Sequence, residues 1–142
     1  MRDRSLYVAP IRIGLGIAWL AAARAAGSPG TGSVLAFAGG AFVIVFTLFN
    51  DPRARFLPGS GDPRPAPAEA LVAGPLRQAL AATLPSTVGV SVLAAIALAF
   101  EPTLTALLGG ISAGLGVAGL LYALRADPGL FVEPKTGIVY RR

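Results

Sequence analysis

The 142-residue chain contains no cysteine and no histidine. The first absence excludes disulfides and thiolate metal sites. The second excludes imidazole ligation of haem or chlorophyll and every catalytic triad that needs an imidazole base. Lysine is nearly missing too, since Lys135 stands beside eleven arginines. Charge of either sign is scarce, at 13% of residues against 54% hydrophobic, well away from the soluble average. No acid lies inside a long apolar run: Asp51 and Asp127 stop such runs, Glu101 lies in a turn, and Asp3, Asp62, Glu69 and Glu133 sit in polar segments. Proton-coupled transport commonly relies on an embedded acid or imidazole, so this distribution argues against a proton-driven pump. The interior keeps only the hydroxyls of Thr47, Thr83, Ser86, Thr87, Ser91, Thr105, Ser112 and Tyr122. Hydroxyls bonded to their own helix backbone make a poor catalytic set, so the expectation is a protein that is not an enzyme and has no cofactor or metal.

What the chain does have is length in its apolar runs. Spanning a hydrocarbon core of about 30 Å takes about 20 apolar residues in a helix, and only helices or closed barrels satisfy the backbone there. Four runs qualify: Val8 to Gly27, Ser33 to Asn50, a third within Leu80 to Phe100, and Thr103 to Leu124. None alternates strictly as a barrel strand would. The predicted fold class is therefore all-α, a polytopic membrane protein with four transmembrane helices in a single domain over residues 1–142. The start also fits a secretory signal peptide, with a basic "MRDRSLYVAPIR", an apolar "IGLGIAWL" and small residues in "AAARAA". The repeat described below includes this run, so it is read as a membrane helix.

The breaks agree with that parsing. "GSPGTG", Gly27 to Gly32, reads as a tight turn, and Glu101-Pro102 separates the last two runs. Residues 51–75 hold six of the twelve prolines and read as a linker of extended geometry. Hairpin one thus covers about 8–50, hairpin two about 76–124, and a tail 125–142. Eleven of the twelve bases, all but Arg24, precede or enter helix 1, follow helix 4 or lie in or just after the linker. Basic residues favour the cytoplasmic side, so both termini and the linker are predicted there and the two short turns outside. Arginine- and alanine-rich, lysine-poor usage suits a GC-rich bacterial genome, which places the chain in a bacterial plasma (inner) membrane. The net charge of +5 sits beside apolar runs instead of forming a stripe with interleaved aromatics. The partner it implies is a bilayer with anionic headgroups, and no nucleic acid is expected.

Two runs end alike. Asp51-Pro52 and Asp127-Pro128 are followed by Pro58 and Pro134, and Gly40 with Gly116, Phe46 with Tyr122 and Leu48 with Leu124 share the same 76-residue offset. At the hairpin starts, "PIRIGLG" from Pro10 resembles "PLRQALA" from Pro75, at an offset of 65. The difference requires an 11-residue length change inside the hairpin. Two parallel-repeat hairpins, related by an axis along the membrane normal, are the expectation.

Small residues recur at every fourth position as Gly14, Ala18, Ala22 and Ala26, as Thr87, Ser91, Ala95 and Ala99, and as Ala106, Gly110, Gly114 and Ala118. Lipid tails are as apolar as leucine, so such ridges are where helices pack. Helix 2 carries the bulky "FVIVFTLF", Phe42 to Phe49, which suits lipid or a partner. Pro85 predicts a kink near the inner end of helix 3. Arg12 and Arg77 read as cytoplasmic anchors. Arg24 and Glu101, the only charges predicted outside, are a candidate ion pair, and Thr87, Ser91 and Ser112 a candidate polar lining. The functional expectation is a non-enzymatic accessory or assembly subunit that packs against partner membrane helices, in a homo-oligomer or a larger membrane complex. The alternative is a small homo-oligomeric channel or facilitator for a small solute.

Overall fold

A computed structural model of the chain describes residues 2–50, 64–65, 75–125, 130–132 and 139–141, with side chains described over 6–50 and 85–124. Four helices, α1 (Arg2–Ala25), α2 (Gly30–Asn50), α3 (Pro75–Phe100) and α4 (Pro102–Arg125), form the bundle. Three short strands, β1 (Arg64–Pro65), β2 (Leu130–Val132) and β3 (Val139–Arg141), make a small sheet in the order β1-β3-β2. The sheet was not anticipated by the apolar pattern. β3 pairs parallel with β1 and antiparallel with β2, which joins the linker to the tail.

The turns follow from helix-end chemistry. α1 ends in a left-handed Gly27 with φ of 95°, a backbone conformation that only glycine adopts without penalty. There Ser28 N–H donates to Ala23 O and Gly27 N–H to Arg24 O, the paired bonds of a Schellman cap. α3 and α4 are separated by Glu101 alone. Glu101 N–H donates to Ala97 O, closing α3, while its side chain accepts from Thr103 N–H at 3.2 Å and opens α4. Pro102 takes the first helical position, where its missing N–H is not needed.

α4 is the centre of the bundle and packs against α1, α2 and α3, whereas α2 and α3 do not meet among the described residues. Glycine permits the closest approaches. A Cβ on Gly16 would strike Gly109 O, and one on Gly110 would strike Phe37 O. Gly116 lies against Ala9 O and Gly109 against Gly16 O, so α1 and α4 run antiparallel; Phe37 meets Gly110 and Ala41 meets Gly114, so α2 and α4 run parallel. The start of α1, the end of α2, the start of α3 and the end of α4 therefore share one end of the bundle.

The ridge Ala106, Gly110, Gly114 and Ala118 is buried throughout, as the spacing predicts. On α1 the spacing misleads: Gly14 and Ala18 are exposed, as is Ala26 just past its end, Ala22 is half-buried, and the buried small residues are Ala9, Gly16 and Ala23. On α3, Thr87 and Ser91 are half-buried, Ala95 and Ala99 are exposed, and Ala94 and Ala97 face inward. Both α1 and α3 continue as helices through their internal prolines, Pro10 and Pro85.

The α1 and α3 ends also revise the alignment of the hairpins. α1 stops at residue 25 and α3 at 100, and α2 stops at 50 and α4 at 125, so each second-hairpin helix ends 75 residues after its counterpart. At that offset Pro10 meets Pro85, Ile13 meets Val88, Gly14 meets Gly89 and Leu15 meets Val90. This spacing of the helix ends differs from the 65 expected at the hairpin starts and lies one residue from the 76 of the Asp-Pro pair. The packing itself is unequal: α1 lies on α4 across glycines, but among the described residues α3 makes no contact with α2.

A polar junction between three helices

The densest set of described inter-helix hydrogen bonds converges on Arg12, two residues after Pro10. Its Nη2 donates to Ser86 Oγ at 2.8 Å and its Nε to Thr87 Oγ1 at 3.4 Å, both on α3. Its backbone oxygen accepts from Ser112 Oγ of α4 at 3.2 Å. One residue thus ties α1 to both α3 and α4. The register explains the meeting, because α1 and α3 run side by side at an offset of 75 and Arg12 falls level with Thr87. Arg12 and Thr87 are half-buried, Ser86 is exposed, and Ser112 is buried. A charged group in an apolar span is costly to keep, and donors and acceptors at the boundary lower that cost.

Of the hydroxyls predicted to line a path, Thr87 and Ser112 both reach this junction. Ser91, one turn further along α3, donates instead to Thr87 O of its own helix at 2.8 Å. Arg12 was predicted as an anchor only. The signal that places it is the offset of 75, which is legible once the helix ends are known.

At the other end of the bundle the hydroxyls of Ser28 and Thr103 lie 3.1 Å apart, one donating to the other. Thr105, fully buried, donates to Ala94 O at 3.1 Å and links α4 to α3. Ser33, also fully buried, donates to Pro29 O and Gly30 O. Trp19 Nε1 and Tyr122 OH are buried with no hydrogen-bond partner among the described residues. Arg24 and Glu101 are both exposed, and the structure gives each its own neighbour: the Arg24 guanidinium lies beside Gly30, and the Glu101 carboxylate caps α4. Both placements suit the helix dipoles, a cation at the end of α1 and an anion at the start of α4. A shallow notch near Glu101, lined by Ala36, Thr103, Leu104 and Leu107, includes no group of the Arg12 junction.

The outer surface is apolar. Phe42 is 67% exposed and Phe46 56%, and their rings stack with centroids 5.6 Å apart on α2. Val88, Val92, Leu93 and Ile96 are exposed along α3. Three segments, Leu6–Ala25, Gly30–Asn50 and Pro102–Leu124, are long and apolar enough to cross a membrane. On α3 the side chains are described from Pro85 on, and the apolar stretch Pro85–Phe100 is roughly 24 Å long at 1.5 Å per residue. No protein family, curated protein or solved structure shows significant similarity to this chain.

Proposed function

We propose that the chain is an integral membrane protein of a bacterial plasma membrane, with four spans, cytoplasmic termini and linker, and a non-enzymatic role as an accessory or assembly subunit. The observation that carries this reading is the division of labour between inside and outside. Inside, Thr105, Ser33, Ser112 and Ser91 donate to backbone carbonyls of the bundle. Outside, the bulky face of α2 with Phe42, Val43 and Phe46 is open and apolar. A surface of that kind fits lipid and the helices of another subunit, and among the described residues the interior offers no set of groups suited to bond-making.

The fourth span is proposed for α3, whose start before Pro85 would supply the remaining length. The two hairpins are proposed as duplicated units on the 75-residue register of Pro10 with Pro85 and Gly14 with Gly89. A second reading, a small homo-oligomeric facilitator, draws on the Arg12 junction, which gathers Thr87 and Ser112 at one place.

The two readings separate in one experiment. The protein is purified in a gentle detergent and weighed by native mass spectrometry, then reconstituted for solute-flux assays. A complex containing a second kind of polypeptide supports the accessory role. A homo-oligomer that conducts a solute in liposomes would replace it with the facilitator.

A further inference from the structure

We propose that the open side of α4, between α2 and α3, seats a partner membrane helix that carries a basic residue at its outer end, with that residue on Glu101. The proposal rests on the accessory role proposed for the chain and deepens it by naming the surface and the chemistry of the partner. α4 has three described neighbours. Gly109 and Ala113 lie against α1 at Gly16, Gly110 and Gly114 lie against α2 at Phe37 and Ala41, and Thr105 bonds to Ala94 O of α3. At about 100° per residue, the side of α4 opposite Gly109 and Ala113 carries Leu104, Leu108, Ile111 and Leu115. α2 and α3 do not meet among the described residues, so they flank this side without closing it. Leu104 is 45% exposed, and Leu108, Ile111 and Leu115 are half-buried.

Two features of this side argue for a helix with a base. The steps between its four residues are four, three and four, the spacing of a coiled-coil seam, and a seam of large aliphatic side chains interlocks with another helix. At its outer end the seam runs into the notch lined by Ala36, Glu101, Thr103, Leu104 and Leu107. Glu101 is exposed there, and the hydrogen bond its side chain accepts from Thr103 N–H falls on Oε1. A carboxylate accepts through both oxygens, so Oε2 is left to take an N–H from a neighbouring cation. The nearest cation in sequence terms, Arg24, lies beside Gly30 instead. Charge also sorts the occupants. A second copy docked here about a two-fold axis along the membrane normal would set Glu101 against Glu101, and the same carboxylate would repel the phosphate of a lipid headgroup. An arginine or lysine at the outer end of a span runs against the usual cytoplasmic bias of basic residues, so it marks the partner specifically.

The test uses the full chain in bilayer discs with a synthetic single-span probe, a leucine and alanine helix of about 20 residues whose end residue is arginine, glutamine or glutamate. Association is read as energy transfer from the probe to a dye on the amino terminus of the chain. The native chain should bind the arginine probe about fivefold or more tightly than the glutamate probe, with the glutamine probe between them. Glu101→Gln keeps an oxygen for Thr103 N–H and removes the charge, so it should bring the three probes within about twofold of one another. Leu108→Ala with Ile111→Ala should weaken all three alike, and Ile17→Ala, at an exposed position of α1, should weaken none. The change of probe measures the charge preference on the native protein, which covers the case in which a variant does not fold. Equal binding of the arginine and glutamate probes by the native chain overturns the proposal. So does a preference that survives Glu101→Gln, an undiminished affinity in Leu108→Ala with Ile111→Ala, or an equal loss in Ile17→Ala. A dimer of the chain that the double variant dissolves makes the occupant a second copy and overturns it too. Each of these results leaves the accessory role standing, since that role is decided by the polypeptides present in the purified complex. Failure of the chain to enter the discs removes the membrane reading and the proposal together.

Discussion

Arg24 and Glu101 show how a single residue can be read two ways. As the only charges predicted on their side of the membrane they invite pairing, yet each sits at a helix end whose dipole it complements. Glu101 takes the N-cap position of α4 and accepts from Thr103 N–H. Arg24 belongs to the last turn of α1, whose closing carbonyls carry partial negative charge. The prediction is that Arg24→Ala and Glu101→Ala act independently. In a double-mutant cycle read as detergent thermal stability, the interaction should stay within about 0.5 kcal/mol of zero, with Glu101→Ala alone costing about 1 kcal/mol as a lost cap. A larger coupling term would restore the ion pair. The cap itself was within reach of the sequence, since an acid directly before Pro-Thr at the start of an apolar run has the form of a helix start.

Among the elements, α4 was the most legible and α1 the least, and the reason is geometric. At 100° per residue, a four-residue step overshoots a full turn by about 40°, so a four-spaced ridge winds around its helix, whereas a seven-residue step drifts back by only about 20°. Ala9, Gly16 and Ala23, the buried set on α1, are seven apart and stay on the face that meets α4. So many residues of α1 are small that spacing alone cannot choose among ridges; the choice is made by where the glycines of α4 allow the backbone to approach. This gives a paired prediction. Gly110→Ala places a methyl against Phe37 O and should destabilise the bundle by about 1–3 kcal/mol through overpacking, while Gly14→Ala, with nothing within 4 Å, should stay within about 1 kcal/mol of the native chain. Unfolding in graded denaturing detergent measures both. Equal effects would mean that α4 and α2 do not meet through Gly110.

For the whole molecule, the decisive links are the ones the apolar pattern could not contain. While the expected linker, apart from residues 64, 65 and 75, lies outside the described residues, helix number and the short turns follow from hydrophobic length and proline placement. The pairing of Arg64 with Tyr140 and of Pro65 with Arg141 does not, because strands of two or three residues carry no periodic signal. That pairing has a topological consequence. β1 belongs to the linker and β3 to the tail, and hydrogen-bonded strands cannot lie on opposite faces of a bilayer. On the membrane reading proposed above, linker and tail are then expected on the same side, which an even number of spans between them would supply, α3 going across and α4 returning. If α3 failed to cross, α4 alone would separate them and the parallel β1–β3 ladder could not form. The prediction is that cysteines introduced singly at Ser60 and Gly137 behave alike towards an impermeant thiol reagent on intact cells, and that one at Gly30 behaves oppositely. The charge distribution then fixes the sign: Gly30 should label and the other two should not. Labelling at Ser60 and Gly137 but not Gly30 would invert the orientation while leaving the fold intact. Opposite behaviour of Ser60 and Gly137 would show that α3 does not span, and with it the four-helix topology would fall.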